Sequence, residues 1–550
     1  MITVLLAALE YGGYVSLVKL IIYVVLFFTW PPLVSWVNTD AQEVKTRVEF
    51  WTCIILATGV GTLVILLMAP IFLIGLLLYL IAVGATSIAY VMHRNSKVAD
   101  FERVLTASHI KSIFVNENKK IATASRGFTF ITANKNEAPL PKAKTPEAFG
   151  FTAAVEIFDD AIWRRANDIV FQPGTKNYSV IYSVDGMPIK QPEKAREEIE
   201  YFIQYLKQLA DLDVNERRKP QTGILRTSKD NEIEWEVTTA GSTAGEQVRI
   251  KRLEESTLIK LEDIGLAPKQ IELLRPVGQI DRGLFIISGP PKSGVTTTFY
   301  AMLRNHDPFM NDINTLEKKP AAKLSNITQH TFKLSDTGTT SYSRKLQHLL
   351  RMGADVMGVA DCGDKECAQL VCAAAKNGKV VHVTLETTGA VQALGKWLKL
   401  VPDKNIAVDT LVGIINQRLV RKLCEKCKQA YQPNPDLLRK FNMPADKIKL
   451  LYRTGEVEYD RRGKPRLCEE CQGTGFSGRT GVFEVIILSD KLKEALKKAK
   501  TLQEIASLFR RAGMHYMQEM SIQKVATGLT SIHEVIRVLS PAKKPAKREK

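Results

Sequence analysis

Charge is missing from long stretches near the start of the chain. From Leu20 to Val37, and again from Thr52 to Met92, there is no Asp, Glu, Lys or Arg. Cysteine is scarce too, with 8 in 550 residues, which excludes a disulfide scaffold at this length. Zinc fingers of Cys/His type and aromatic-rich basic strand motifs are absent, so the sequence offers no nucleic-acid reader. No internal repeat occurs. A basic leader is lacking as well: the chain opens Met1-Ile-Thr-Val with Glu10 following, which predicts that no signal peptide is cleaved.

What is present divides unevenly. Apolar residues make up 45% and charged residues 24%, ordinary values that hide an apolar first hundred residues and a polar, basic remainder. The formal charge of +18 favours anionic surfaces, among them nucleic acid, lipid headgroups and nucleotide phosphates. Lipid is the simplest of these beside apolar runs. A chain of this length predicts several domains.

The run Leu20–Val37 closes on an interruption at Trp30-Pro31-Pro32 and on Trp36. A single helix over Thr52–Met92 would be about 60 Å long, roughly twice a bilayer's hydrocarbon core. A turn at Ala69-Pro70 is therefore expected, giving three spans, or two if Pro70 only kinks one long helix. His93, Arg94, Lys97 and Arg103 follow at once, and the positive-inside rule places what comes after them in the cytoplasm.

Residues 1–94 thus read as a transmembrane region. Residues 95–148 read as a small β adaptor and linker, with Ser112-Ile-Phe-Val and Gly127-Phe-Thr-Phe-Ile as its strands and Pro139, Pro141 and Pro146 in the linker. Residues 149–255 predict an α/β N-terminal domain with helices over Ala153–Arg165 and Glu193–Leu209 and strands over Asp168–Phe171 and Tyr178–Val184. Trp163, Arg164 and Arg165 close the first helix and read as surface or interdomain packing. Residues 256–410 alternate strand and helix as a doubly wound parallel sheet does. Residues 411–487 carry cysteine pairs, 488–540 read as helices, and 541–550 are a basic tail.

Two motifs bear chemistry. The strand Leu284–Ser288 runs into Gly289-Pro-Pro-Lys-Ser-Gly-Val-Thr-Thr-Thr298 and then a helix, the setting in which backbone amides cradle a phosphate. Gly289, Lys292, Ser293, Gly294, Thr296 and Thr297 are the candidate phosphate contacts. Val295 stands where the P-loop pattern has lysine, which removes a charge-assisted contact unless Lys292 reaches in. The second motif is Cys424-Glu-Lys-Cys427 with Cys468-Glu-Glu-Cys471, two C-x-x-C knuckles able to close a tetrahedral structural zinc site. Cys362, Cys367 and Cys372 read as core thiols.

The surrounding residues are similar to the type II secretion and type IV pilus assembly ATPases. The phosphate loop resembles that family's GPTGSGKTTTLY. Asp355-Val-Met-Gly-Val-Ala-Asp-Cys-Gly-Asp364 resembles its Walker B stretch, and Gly378-Lys-Val-Val-His-Val-Thr-Leu-Glu-Thr-Thr-Gly-Ala390 its histidine box. Asn167-Asp-Ile-Val-Phe-Gln-Pro173, Asn215-Glu-Arg-Arg-Lys-Pro-Gln221 and Asn416-Gln-Arg-Leu-Val-Arg-Lys-Leu-Cys424 match further family runs in order. The resemblance implies an α/β fold with a RecA-like P-loop NTPase domain, preceded by an α/β N-terminal domain and followed by a zinc-bearing helical region. The transmembrane helices in front of it, read from the apolar runs, depart from a family that is normally soluble. It also implies hexameric assembly, ATP with Mg²⁺ as cofactor, and work beneath an inner-membrane platform on pilin-like proteins. The soluble domains would then lie on the cytoplasmic side of a bacterial inner membrane.

The departures fall where the chemistry sits. Asp361 matches the Walker B glutamate, Lys379 and Glu386 replace both box histidines, and Glu317 is kept while Lys318 replaces an aspartate. Glu317 and Asp361 remain the candidate catalytic carboxylates. The expectation is a hydrolysis-impaired subunit acting as scaffold or regulator beside related ATPase subunits. The alternatives are an active motor with a rearranged site and a nucleotide-sensing membrane scaffold.

Overall fold

The computed structural model describes residues 16–540 except 70, 99–103, 106–124, 126, 143–144, 230, 254–259, 333–340, 442, 444–447, 457, 460 and 462–464. The run at Ser112, Pro70, Arg103 and the basic tail lie outside the described residues. The chain divides into two compact units, residues 1–124 and 125–550.

Among the described residues of the first unit, three helices are long and apolar enough to cross a membrane: α1 (Leu17–Glu43), α2 (Val48–Met68) and α3 (Phe72–Asn95). Helix α1 runs unbroken through Pro31 and Pro32 where the sequence predicts an interruption. In an apolar medium a helix missing two hydrogen bonds leaves fewer polar groups bare than any irregular backbone would. Where α1 and α3 end, Asp40 accepts from the Arg94 guanidinium at 2.8 Å and from the Tyr90 hydroxyl at 2.6 Å. Trp36 and Trp51 pack edge-on against the Tyr90 ring.

The second unit begins with an antiparallel sheet. Its strands are β1 (Thr129–Ile131), β2 (Ala166–Pro173), β3 (Asn177–Val184), β4 (Met187–Lys190), β5 (Lys194–Ala195), β6 (Gln221–Ser228), β7 (Glu232–Ser242) and β8 (Gly245–Leu253). The order is β1-β6-β7-β8-β2-β3-β4, with β5 beside β3. Strand β1, from the segment read as an adaptor, is this sheet's edge, because Phe128 and Phe130 stack with each other and Phe130 packs on Phe151, Phe158 and Tyr205. Those partners lie on the helices Pro146–Trp163 and Arg196–Leu209. The first helix starts earlier than expected: Thr145 caps it, accepting from the Ala148 amide, and Pro146 takes the first position, where a missing N–H costs nothing.

A second sheet follows, made of β9 (Gly283–Gly289), β10 (Ile313–Glu317), β11 (Thr328–Thr331), β12 (Val356–Val359), β13 (Val380–Glu386), β14 (Leu411–Leu423) and β19 (Phe476–Ile487). Its order is β11-β10-β12-β13-β9-β14-β19, and every pairing is parallel except β14 with β19. All of β9 is buried, as central parallel strands covered on both faces must be. Cys362, Cys367 and Cys372 lie in its core, as expected of core thiols. Strands β14 and β19 form the stem of the cysteine region, which carries two small hairpins, β15 (Gln429–Tyr431) with β16 (Leu451–Arg453) and β17 (Glu458–Tyr459) with β18 (Pro465–Arg466). Four helices between Asp490 and Leu539 finish the fold.

The two sheets are latched together by side chains. Arg165 donates to the Ser477 hydroxyl and to the Phe476 carbonyl, both at 2.9 Å. Asp185 accepts from the Gly478 amide at 3.3 Å and faces Arg165 at 3.6 Å. Both residues have left-handed backbones, φ 58° and 50°, an arrangement that aims two turns at one short segment and costs on the order of 1 kcal/mol each. Lys319 adds a pair with Glu236 of β7 at 2.6 Å.

Candidate functional site

Strand β9 delivers the phosphate loop at the middle of the sheet, between β13 and β14. Gly289 must be glycine: a Cβ there would lie 2.3 Å from the Ser293 hydroxyl and 2.8 Å from the Gln417 carbonyl. Gly294, at φ 85°, caps the helix Val295–Leu303. The loop rests on β14, where the Gln417 amide donates to the Ser293 carbonyl at 2.9 Å. The Ser293 hydroxyl is buried without a hydrogen-bond partner, while Thr296 is exposed and Thr297 half-buried. Lys292 is exposed, with a left-handed backbone at φ 63°. Val295 packs against the cluster holding Phe285, Ile287 and Phe299, so its position is tied to the core.

The carboxylates are committed elsewhere. Glu317 is buried, accepting from Tyr300 at 2.6 Å, Thr315 at 2.8 Å and Gln329 at 3.2 Å, which makes it a packing anchor between β10 and the helix Val295–Leu303. Asp361 is exposed at φ 58°, and its amide donates to the Thr384 hydroxyl at 2.8 Å. Its carboxylate faces Lys318 at 3.6 Å, both side chains being exposed, a solvated contact worth at most about 1 kcal/mol. Glu386 ends β13 level with Gly289, whereas Lys379 precedes that strand and donates to the Ala354 carbonyl. A lysine beside the phosphates, free carboxylates for Mg²⁺ and an oriented water are what hydrolysis requires. The residues present do not fit that set, though the glycine loop and the bare Ser293 hydroxyl fit a phosphate oxygen.

A histidine pair belongs to none of these motifs. The Nε2 atoms of His306 and His382 lie 2.8 Å apart inside the core. Burial pushes His306 down to about 4 and His382 well below the ordinary value. Because the folded pair refuses protons that the unfolded chain accepts, its contribution is complete above pH 6.5 and lost as the pH falls towards 4. His306 alone should lose roughly 3 kcal/mol by about pH 4, read as lower protection factors in β13 once the pH dependence of intrinsic exchange is divided out. Replacing both residues by leucine should flatten the dependence.

The four cysteines converge as expected. Their sulfurs lie within 4.8 Å of one another, with Cys424 to Cys468 at 3.8 Å and Cys427 to Cys471 at 3.5 Å. Bonds of about 2.3 Å to a tetrahedral ion require sulfur separations near 3.8 Å, so the donor set fits zinc. Burial raises the Cys468 thiol, but the amides of Cys471 and Glu470 outweigh it and bring the group to about 7. The site closes on itself and leaves no position for a substrate.

The sequence model of the Type II/IV secretion system protein family matches residues 150–537. The type IV pilus assembly ATPase PilB of Thermus thermophilus is 28% identical over 384 residues, 69% of this chain and 42% of that protein. The type II secretion system protein HxcR of Pseudomonas aeruginosa is 28% identical over 381 residues, 68% of this chain and 74% of that one. The chain thus spans less than half of the first relative and about three quarters of the second. Among solved structures, the Legionella pneumophila ATPase DotB aligns with a TM-score of 0.50 at 15% identity, over 72% of this chain and 96% of that one. That likeness concerns the fold alone.

Proposed function

The chain belongs to the Type II/IV secretion system protein family, and from this we propose that it is a membrane-anchored, hydrolysis-impaired subunit of a type II secretion or type IV pilus machine. It acts as a scaffold or regulator for related ATPase subunits. The observation that carries this reading is Val295, which stands where the phosphate loop has lysine and packs on the core instead. Lys318 stands where the family has an aspartate, so the site lacks both the cation for the phosphates and one carboxylate for Mg²⁺. The sheet from β9 to β14 is the RecA-like domain, and nucleotide binds, if at all, through the loop amides and Ser293. Glu317 serves as a structural anchor and Asp361 as the partner of Lys318. The tetracysteine site holds zinc as a structural element. Helices α1–α3 make the chain a multi-pass inner-membrane protein with its soluble domains in the cytoplasm. There it joins a ring, hexameric by family resemblance, under the membrane platform and its pilin-like proteins.

The test is ATP binding and turnover by the full chain beside Val295→Lys. Turnover should fall at least about three orders of magnitude below an intact family motor. Val295→Lys alone should restore less than about tenfold, because Lys318 still stands where the family has an aspartate and Asp361 is one methylene shorter than its glutamate. Mg²⁺-dependent turnover by the wild type that vanishes on Lys292→Ala would instead establish an active motor with a rearranged site.

A further inference from the structure

The N-terminal domain contains a cavity of about 690 Å³ that owes nothing to the phosphate loop. It opens where the helix Arg196–Leu209, the loop before β6 and the β7–β8 turn meet. That volume suits a small-molecule ligand.

Its charge is what selects the ligand. Arg196, Arg217 and Arg218 line the cavity together with Glu200 and Glu246. Glu246 is already balanced, because the buried Lys207 ammonium lies 2.6 Å from it. Three guanidinium groups therefore face one unbalanced carboxylate, that of Glu200, which Arg196 holds at 2.9 Å. Among the described residues, no protein acceptor is bonded to the guanidinium of Arg217 or Arg218. Two positive charges are left over, presented on planar forks that match phosphate oxygens.

The backbone keeps this space open. Gly245 sits at φ 145°, and a Cβ there would lie 3.3 Å from an Arg196 nitrogen and 3.5 Å from the Tyr178 hydroxyl. Gly241 lets the turn approach the loop, since its Cβ would fall 2.7 Å from the Arg218 Cα and 2.9 Å from the Arg217 carbonyl. The Gly241 amide donates to the Arg218 carbonyl at 3.2 Å, which ties the Arg218 backbone to the turn and leaves both exposed arginine side chains at the rim. Tyr178 is held upright from below, its hydroxyl donating to the Glu246 carbonyl at 3.1 Å.

We propose that this cavity binds a doubly charged phosphate group, carried by a soluble phosphate compound or by an anionic lipid headgroup. The probe is inorganic pyrophosphate, titrated calorimetrically into the full chain in phosphatidylcholine nanodiscs. Arg217→Ala with Arg218→Ala should weaken binding at least tenfold. Ala244→Glu, an exposed turn substitution that places a carboxylate at the cavity, should do the same without touching an arginine. Lys491→Ala, an exposed lysine of the helix Asp490–Lys498, should leave binding within about twofold. Absence of binding, binding untouched by the first two variants, or a loss of more than about twofold in Lys491→Ala would overturn the proposal. If the headgroup is the source, nanodiscs containing phosphatidic acid, whose phosphomonoester can carry two charges, should by themselves slow hydrogen exchange at residues 241–245. If a soluble compound is the source, only pyrophosphate should do so.

Discussion

Removing metal from the four cysteines is expected to abolish ordered structure between Cys424 and Cys471 while the seven-stranded sheet stays intact. The two hairpins inside this segment have two strands each, and isolated hairpins are marginal in water. Their apolar support is one small cluster, in which Leu438, Met443 and Leu451 meet Val525, Ile532 and Val535 of the last two helices. A structural zinc ion contributes on the order of 10 kcal/mol at neutral pH, far more than that cluster can replace. Chelation of the full chain should therefore strip hydrogen-exchange protection from β15 and β16 and spare β9 and β13. Replacing any one of the four cysteines by serine should do likewise. Equal protection with and without chelator would show that the thiols hold no structural metal.

The second large effect is expected at Lys207. Its side chain is 1% exposed, paired with Glu246 at 2.6 Å and donating to the Glu216 carbonyl at 2.7 Å. Lys207→Met would leave a buried carboxylate without its counter-charge, at a cost of about 3–5 kcal/mol. Adding Glu246→Met should recover most of that loss, because two apolar side chains of similar volume need no mutual compensation. The denaturant midpoint of the N-terminal domain reads both changes. A double variant as weak as the single one would mean that the pair packs by shape rather than by charge.

Much of this architecture could be read from residues. Strand β9 was legible because a central parallel strand is apolar on both faces, and the knuckles were legible because their spacing serves one geometry. The turn between α2 and α3 followed from length alone. Other features left no local trace. Pro31 and Pro32 argue against a helix in water, yet the helix continues through them, as apolar helices of membrane-spanning length tolerate proline. The latch at Arg165 and Asp185 depends on two residues adopting backbones that their side chains disfavour. His306 and His382 are far apart in sequence and belong to no motif. In the candidate nucleotide site the substitutions were plain, but the pairing of Lys318 with Asp361 needed β10 and β12 placed side by side.

The Asp40–Arg94 pair has a mechanical consequence. A pull on the chain beyond residue 95 meets Arg94 first, at the very end of α3. Because its guanidinium grips Asp40 near the end of α1, the tension divides between two helices instead of peeling one away. Tyr90 adds a second strand to this tie, one helical turn deeper. Helices α1 and α3 should therefore resist being pulled apart, and Asp40→Asn would lower the force needed to detach α3.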